Sequence, residues 1–409
     1  MPINHLGTGL GLFDGDWVES KDQDPAGSIR LLQLADIGIG KFLNRSSRYV
    51  NEEAFFLLNC NEIYPGDVLI ARMPDPIGRA CVLPENLGRT ITVVDVAVLR
   101  VNPEIAHPEY LSFIFNSSWF TESAELLLAG STRQRISRSA LGRIRVPLPD
   151  LPVQQEIADY LKHETDEIDS MVGRMDDLAE VLRHRQTEVS TRLVFGLASE
   201  HGHDAADAHS PLAGIPAGWD RTKFGFDFIE STERNGDAPP GPLLSISEYR
   251  GVELNTRTEG QQASLDVSKY RVVRPGQLAA NMMWLNHGGL GVSSLTGYIS
   301  PDYKAFWISK RFEPRYVHHL FRSSRYIDYF AAIATGVRPN AQRVTKTVLD
   351  ATPVPLPPIE EQIRIADELD EVTAKTNAML AKVAELKGLL LERRAALITD
   401  VVTGRKELA

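Results

Sequence analysis

The sequence predicts an α+β chain built as two copies of one plan, each a domain of mixed sheet plus helices followed by a long helix. Three observations carry that expectation: an internal repeat, a heptad stripe in each copy, and short β-like runs between turn residues. Residues 146–149, Val-Pro-Leu-Pro, recur at 354–357, and at the same offset of 208 Gln154 meets Gln362 and Ile157-Ala158-Asp159 meets Ile365-Ala366-Asp367. Without a gap, 17 of the 51 residues in 146–196 equal their counterparts in 354–404. Chance does not produce that.

Upstream of the shared segment the copies diverge, as if a scaffold were kept and its payload varied. Faint echoes remain. Tyr64-Pro65-Gly66-Asp67 faces Arg274-Pro275-Gly276-Gln277, Pro108-Glu109-Tyr110 faces Pro314-Arg315-Tyr316, and Gly130-Ser-Thr-Arg133 faces Gly336-Val-Arg338-Pro339. The β-like runs are 30–34, 68–71, 92–99, 243–246 and 304–308, with helical patches near 109–129 and 314–334. Domain boundaries follow: 1–147, a long helix in 148–196, a linker in 197–213, a second domain in 214–352 and a second long helix in 353–409.

Each long helix has its signals. Pro149 and Pro152, and Pro357 and Pro358, mark the starts, while Gly196 and Gly404 mark the stops. Leu161, Ile168, Met175, Leu182 and Val189 step by seven, and Leu369, Thr376, Val383, Leu390 and Leu397 stand at the same places in the second copy. Ile157, Met171 and Leu178, with Ile365, Val372, Met379 and Leu386, are expected to form the other seam position. Two matched stripes in one chain favour mutual packing over a helix lying on a sheet. Gly173 and Gly388 are local weak points. The linker holds His201, His203, Asp204, Asp207 and His209, which read as solvated groups because no flanking element fixes a metal geometry; no metal is expected.

The chain has 409 residues, too many for one ordinary core, with 54 acidic against 44 basic side chains. It contains no apolar run long enough to cross a membrane and no leader pattern in MPINHLGTGLGLFDGDW, and its only cysteines are Cys60 and Cys81. Those features read as a cytoplasmic chain with reduced thiols and no membrane partner. The formal charge of −10 argues against nucleic acid until it is divided. The first helical segment, 148–196, carries −6 and the linker −3, whereas 214–349 carries +5. Basic clusters stand just before each helix: Arg133, Arg135, Arg138, Arg143 and Arg145 in a stretch without acids, and Lys304, Lys310, Arg311, Arg315, Arg322, Arg325, Arg338, Arg343 and Lys346 against Glu313 and Asp328. Corresponding cations in two repeated domains fit phosphate contact.

Catalytic motifs are missing. Gly38-Ile-Gly40-Lys41-Phe42 lacks the first glycine and the hydroxyl residue of a phosphate loop, and Gly7, Gly9 and Gly11 are misspaced for a dinucleotide fingerprint. Asn102-Pro103-Glu104-Ile105 lacks the second proline and aromatic of an amino-methyltransferase tetrapeptide. Pro74-Asp75 and Pro149-Asp150 are not followed within thirty residues by an acid-x-Lys, and no HExxH, GxSxG or CxxC occurs.

A duplicated chain with two variable domains, each closed by a proline-rich approach to a heptad helix, resembles the specificity (S) subunit of type I DNA restriction-modification enzymes. The residues that carry the resemblance are Val354-Pro-Leu-Pro-Pro-Ile-Glu-Glu-Gln-Ile-Arg-Ile-Ala-Asp-Glu-Leu369 and its partner Val146–Leu161. Ile215-Pro-Ala-Gly-Trp219 looks like the start of the second recognition domain, and Pro65-Gly-Asp-Val-Leu-Ile-Ala-Arg72 like a loop-bearing strand. Gly15-Asp16-Trp17 matches the domain-start motif only in part.

The resemblance implies target-recognition domains that each read half of a bipartite, asymmetric double-stranded DNA target, with the two helices paired as an antiparallel coiled coil. A helix of about 40 residues is about 60 Å long, which exceeds the ~34 Å between half-sites one helical turn apart. The resemblance also implies methyltransferase (M) and restriction/translocase (R) partner subunits, with S-adenosylmethionine, ATP and Mg bound by those partners and no cofactor or catalytic residue here. Candidate base readers are Arg72 and Arg79 in the first domain and Asn281, Asn286 and Asn340 in the second, because Arg reads guanine and Asn adenine. Candidate phosphate contacts are Arg133, Arg135, Arg138, Arg322, Arg325, Arg338, Arg343 and Lys346. Trp284 reads as core. The rival readings are a nucleic-acid-modifying enzyme with an unfamiliar site and a structural coiled-coil adaptor.

Overall fold

The computed structural model describes residues 1–128, 134–197, 210–236, 238–247, 250–256, 266–336 and 343–407. The chain divides into two compact units, Met1–Asp176 with Ala384–Ala409, and Asp177–Val383. The sequence predicts one long helix after each domain. Instead, each unit includes half of both helices.

The first unit is organised around a four-stranded antiparallel sheet in the order Gly7–Asp14, Val96–Val101, Val68–Ala71, Ala80–Val82. The run expected at 92–99 breaks at residues 93–95. Thr90–Thr92 pairs in parallel with Ile29–Leu32 in a second, three-stranded sheet, while Val96–Val101 joins the first. The expected helical patch is two helices, Pro108–Phe115 and Ser118–Glu125, because Ser117 accepts the Phe120 N–H and caps the second one. One face of the larger sheet buries Val68, Ile70, Ala97 and Leu99 against Tyr110, Phe115 and Phe120, and then against Ile157, Ala158 and Leu161 of the first long helix (Leu151–Val194).

The second unit repeats this plan. Its four-stranded antiparallel sheet runs Phe228–Glu230, Lys304–Ile308, Leu278–Ala280, Leu290–Val292, the same order as in the first. Helices Pro314–Phe321 and Ser324–Ile333 follow, and the core gathers Phe306, Tyr316, Phe321, Tyr326 and Phe330 against Ile365, Ala366 and Leu369 of the second long helix (Ile359–Val402). Leu212 is buried in this core, so residues 210–213 belong to the domain and not to the linker expected from composition. The five acidic and histidine residues of that linker lie outside the described residues.

The two long helices occupy matching spans, 151–194 and 359–402, 208 apart. Gly196 and Gly404 adopt φ of 63° and 71°, and the next residue's N–H closes back onto Arg192 and Asp400 oxygens at 2.9 and 2.8 Å. These left-handed caps favour glycine. Each domain holds its helix by one buried glutamine. Gln154 accepts the His107 N–H at 2.9 Å and donates to the carbonyls of Ile105 and Pro149 at 3.0 and 2.8 Å. Gln362 does the same with Glu313, Arg311 and Pro357, at 2.9, 3.0 and 2.8 Å. The opposite helix end is held by a hydroxyl pair: Ser118 with Thr399 in the first unit and Ser324 with Thr191 in the second, each at 3.0 Å.

Within each unit the start of one long helix lies beside the end of the other, so the helices pack antiparallel. The stripe Leu161, Ile168, Met175, Leu182, Val189 and its partner Leu369, Val383, Leu390, Leu397 face inward. The second seam differs from expectation. Met171, Leu178, Met379 and Leu386 are exposed. The inward places fall one residue later, at Thr165, Val172, Ala179 and Gln186, and at Thr373, Leu380, Lys387 and Arg394. Several of these are polar and find partners across the pair: Gln186 donates to Thr373 Oγ1 at 3.2 Å, Arg394 Nε lies 3.1 Å from Asp169, and Lys387 lies 2.6 Å from Asp176. Apolarity alone therefore points to the wrong residues there.

Replacing Gln154 or Gln362 by Ala strands one buried N–H and two carbonyls, and each change is expected to cost about 3 kcal/mol in urea unfolding. Exposed Gln155→Ala is the control and changes stability by less than about 0.5 kcal/mol. Likewise Leu161→Ala is expected to cost about 2–5 kcal/mol, whereas Met171→Ala costs little, which checks the seam register.

Candidate nucleic-acid interface

In each unit the loop between the third and fourth strands of the sheet lies beside a basic segment that leads to the long helix. These are residues 72–79 with 135–138, and 281–289 with 343–346. The same backbone bond joins loop and segment in both: the Ile136 N–H donates to Arg72 O at 3.0 Å, and the Val344 N–H to Met282 O at 3.1 Å. At offset 208, Arg135 corresponds to Arg343, Arg138 to Lys346 and Arg143 to Ala351. Cations recur in the first two of these pairs.

In the first unit, Arg72 serves the fold and not a surface. It is 4% exposed, donates from Nε to Ile136 O at 3.0 Å and from Nη1 to Val94 O at 3.1 Å, and pairs with Asp14. Arg79 is a clamp as well, donating to the carbonyls of Ile37, Leu34, Asp75 and Pro76 at 2.9–3.3 Å. Burial lowers the pKa of both guanidiniums from the ordinary arginine value. Both candidates are thus held within the fold, Arg72 by two main-chain oxygens and Asp14, and Arg79 by main-chain oxygens. Arg135 and Arg138 are the outward members, at 3.6 Å from Asp95 and 3.8 Å from Asp14. Arg133 lies outside the described residues.

The second unit shows the same sorting. Arg322 donates to three carbonyls, Ser247, Gly288 and Leu290, at 3.2, 3.0 and 2.9 Å. It stands where Asn116 of the first unit donates to Ala80 O at 2.8 Å. Arg325 donates to Ala213 O at 2.5 Å and lies 4.8 Å above the Phe195 ring. Asn281 is buried and accepts the Met283 N–H at 3.1 Å, shaping its own loop. These three candidates likewise help to hold the fold. Lys346 pairs with Asp350 at 2.5 Å, Asn286 is half-buried, and Arg343 is exposed. Arg338 and Asn340 lie outside the described residues. Elsewhere in the basic stretch, Lys304 pairs with Glu230 and Arg315 with Glu313, Asp367 and Asp370.

The loop 281–289 also presents Trp284, which the sequence places in the core. Trp284 is 49% exposed, its ring 4.6 Å from that of His287, with Met283 exposed beside it. The turn chemistry of Asn286-His287-Gly288-Gly289, with Gly288 at φ 71°, is the signal that could have placed Trp284 on a loop tip. Among the described residues, the His/acid group with metal-compatible spacing is His163, Glu164 and Glu167, which lie on one turn of the first long helix.

Residues 15–178 match the family model described as the type I restriction modification DNA specificity domain. The StySPI type I restriction enzyme specificity subunit of Salmonella potsdam is 20% identical over 285 residues, 65% of this chain; the match spans 58% of that protein, less than two thirds of its length. The putative type I restriction enzyme MjaX specificity subunit of Methanocaldococcus jannaschii is 20% identical over 350 residues, 78% of this chain and 75% of its own. A solved chain described under complex assembly and conformational transition of the type I R-M system shares the fold over 98% of this chain and 96% of its own, with a TM-score of 0.64 and 17% identity. The matched domain falls in the first copy of the duplicated fold. The chain is thus similar to type I specificity subunits over most of its length, and residues 15–178 carry the match to the specificity domain.

One titratable group beside Arg322 ties this region to pH. His318 packs on Gly251 and Gly291, and its Nδ1 accepts the Val292 N–H at 3.2 Å. Burial, with help from Arg322, lowers its pKa to about 3. The unfolded state then binds more protons between pH 6.5 and 3, so stability is full above 6.5 and falls as pH drops through that window. His319, 3.1 Å from Asp370, is also lowered by burial and adds in the same direction. Between about pH 6.5 and 5, before most carboxylates titrate, urea unfolding is expected to show this loss, and His318→Gln is expected to reduce it.

Proposed function

We propose that this chain is the DNA-reading subunit of a type I restriction-modification complex, binding a bipartite, asymmetric double-stranded target with one half read by each unit. The observation that carries the reading is the recurrence of cations at 135 and 343 and at 138 and 346, each set fixed against its loop by the same backbone bond. Phosphate contacts hold register without carrying sequence, and base contacts come from loops that reach a groove. Arg135, Arg138, Arg343 and Lys346 take the phosphate role, while Asn286, with Trp284 and His287, takes the base-reading role in the second unit.

Scaffolding follows from the long helices. Met171, Leu386, Leu389 and Leu391 in the first unit, and Leu178, Val181 and Met379 in the second, are exposed apolar residues on acidic helices. Such ridges suit docking of methyltransferase subunits, with restriction subunits joining the assembled complex. Methyl transfer and cleavage, together with S-adenosylmethionine, ATP and Mg, belong to those partners, and this chain supplies no catalytic group. No described helix is long and apolar enough to cross a membrane.

Charge reversal at Arg135 and Arg343 is expected to weaken binding to duplex DNA. The slope of log affinity against log salt should fall by about 1 for each phosphate no longer neutralised. An unchanged slope removes both residues from the interface. Exchange of residues 214–352 for the equivalent part of another specificity subunit is expected to change one half of the methylated sequence. Methyl transfer or cleavage by the purified chain alone contradicts the non-catalytic assignment.

A further inference from the structure

The tip of the loop 281–289 is apolar, exposed and fixed by its own main chain. Met283 and Trp284 are 42% and 49% exposed, while Met282 and Leu285 on either side are buried in the core of the second unit. The Trp284 N–H donates to Asn281 O at 2.9 Å, and Trp284 O accepts the His287 and Gly289 N–H groups at 3.0 and 2.8 Å. The Asn281 side chain accepts the Met283 N–H at 3.1 Å, and Arg322 donates to Gly288 O at 3.0 Å. A Cβ on Gly289 would meet the Trp284 Cβ at 2.7 Å, so only glycine lets the turn close this tightly. The His287 ring, 4.6 Å away and tilted by 53°, braces the indole.

The surroundings of this tip are cationic. Residues 281–289 and 343–346 contain no acid, Arg343 is exposed, and the Val344 N–H ties its segment to Met282 O at 3.1 Å. The first unit differs at the same place. Counting from the matching bond at Arg72 O, Met73 corresponds to Met283 and Pro74 to Trp284, and the exposed side chain of 72–79 is Asp75. A carboxylate is repelled by DNA, whereas an indole offers a flat apolar face of a size that stacks on a base.

We propose that Trp284, with Met283, is a wedge that enters the base stack of the target half bound by the second unit and opens one step there. The inference rests on the DNA-reading function proposed above and goes beyond it, since hydrogen bonding to base edges leaves the stack closed. Apolar side chains inserted between base pairs trade the cost of unstacking for their own burial and a closer fit of the duplex. The fixed loop serves this, because a tip ordered before binding loses little freedom when it enters. Arg343 and Lys346 hold the phosphates on its flank. The step opened is expected to be pyrimidine–purine, the kind most easily unstacked. The first unit, with Pro74 and Asp75 at its tip, leaves its own half-site stacked.

A duplex of the sequence that the full chain selects from random DNA, with 2-aminopurine placed in turn along both halves, tests this by fluorescence. The expected result is a rise on binding at one step, in the half whose sequence changes when residues 214–352 are exchanged. Trp284→Ala is expected to abolish the rise and weaken binding about tenfold, the scale of one lost base–aromatic stack, while Trp284→Phe keeps part of both. A mismatch at that step is expected to tighten binding by the unaltered chain but not by the Trp284→Ala chain, because only a wedge gains from a step already opened. Binding without a rise at any position, a rise that survives Trp284→Ala, or a rise confined to the other half would overturn the inference while the DNA-reading function stands. Absence of any selected sequence would overturn that function, and this inference with it.

Discussion

A single buried glutamine at the start of each long helix fixes where everything else in its unit stands. Gln154 and Gln362 each answer three main-chain groups that would otherwise be stranded in an apolar core, and leaving such groups unpaired costs several kcal/mol in sum. The side chain joins three pieces of backbone: the turn before a domain helix, the proline-rich approach, and the helix itself. Once these are joined, the tyrosine that follows, Tyr110 or Tyr316, is buried beneath the sheet, and the Ser–Thr pair can form at the far helix end. Each domain is thus gripped by the start of one long helix and the end of the other.

This grip explains which residues the two copies share and which they do not. The residues equal across the repeat include Gln154, Thr191 and Gly196 with their partners 208 later, and these make the staple, the hydroxyl pair and the cap. The strands between them need only preserve burial and order, so Val68–Ala71 and Leu278–Ala280 share a place without sharing a sequence. Turn geometry survives where it must. Asp67 accepts the Tyr64 N–H at 2.9 Å, and Gln277 accepts the Arg274 N–H at 2.8 Å, around the glycines Gly66 and Gly276.

Much of the fold was legible because it rests on periodicity and repetition. The helix limits, the first seam and the two-copy plan follow from spacing. The second seam did not, because its inward places hold Thr165, Gln186, Lys387 and Arg394, several of which pair across the helices in ways no apolar pattern reveals. The candidate interface was legible only in outline. Clusters of arginine showed where cations concentrate, but Arg72, Arg79, Arg322 and Arg325 bond carbonyls that become close only after folding. Arginine suits that role because its fork of donors can satisfy several main-chain oxygens at once. Trp284 misled in the other direction, since a large aromatic at a loop tip resembles a core residue in sequence.

The acidity of the whole chain has a local origin, in the helices and linker, while the outward cations gather beside the loops. Such a division suits two units that read separate halves of one target, as proposed above. A binding selection from random duplex DNA, using the full chain, tests that division of labour most directly. Two specified blocks separated by a fixed run of unspecified bases is the result expected. One continuous block, or enrichment without sequence preference, would contradict it.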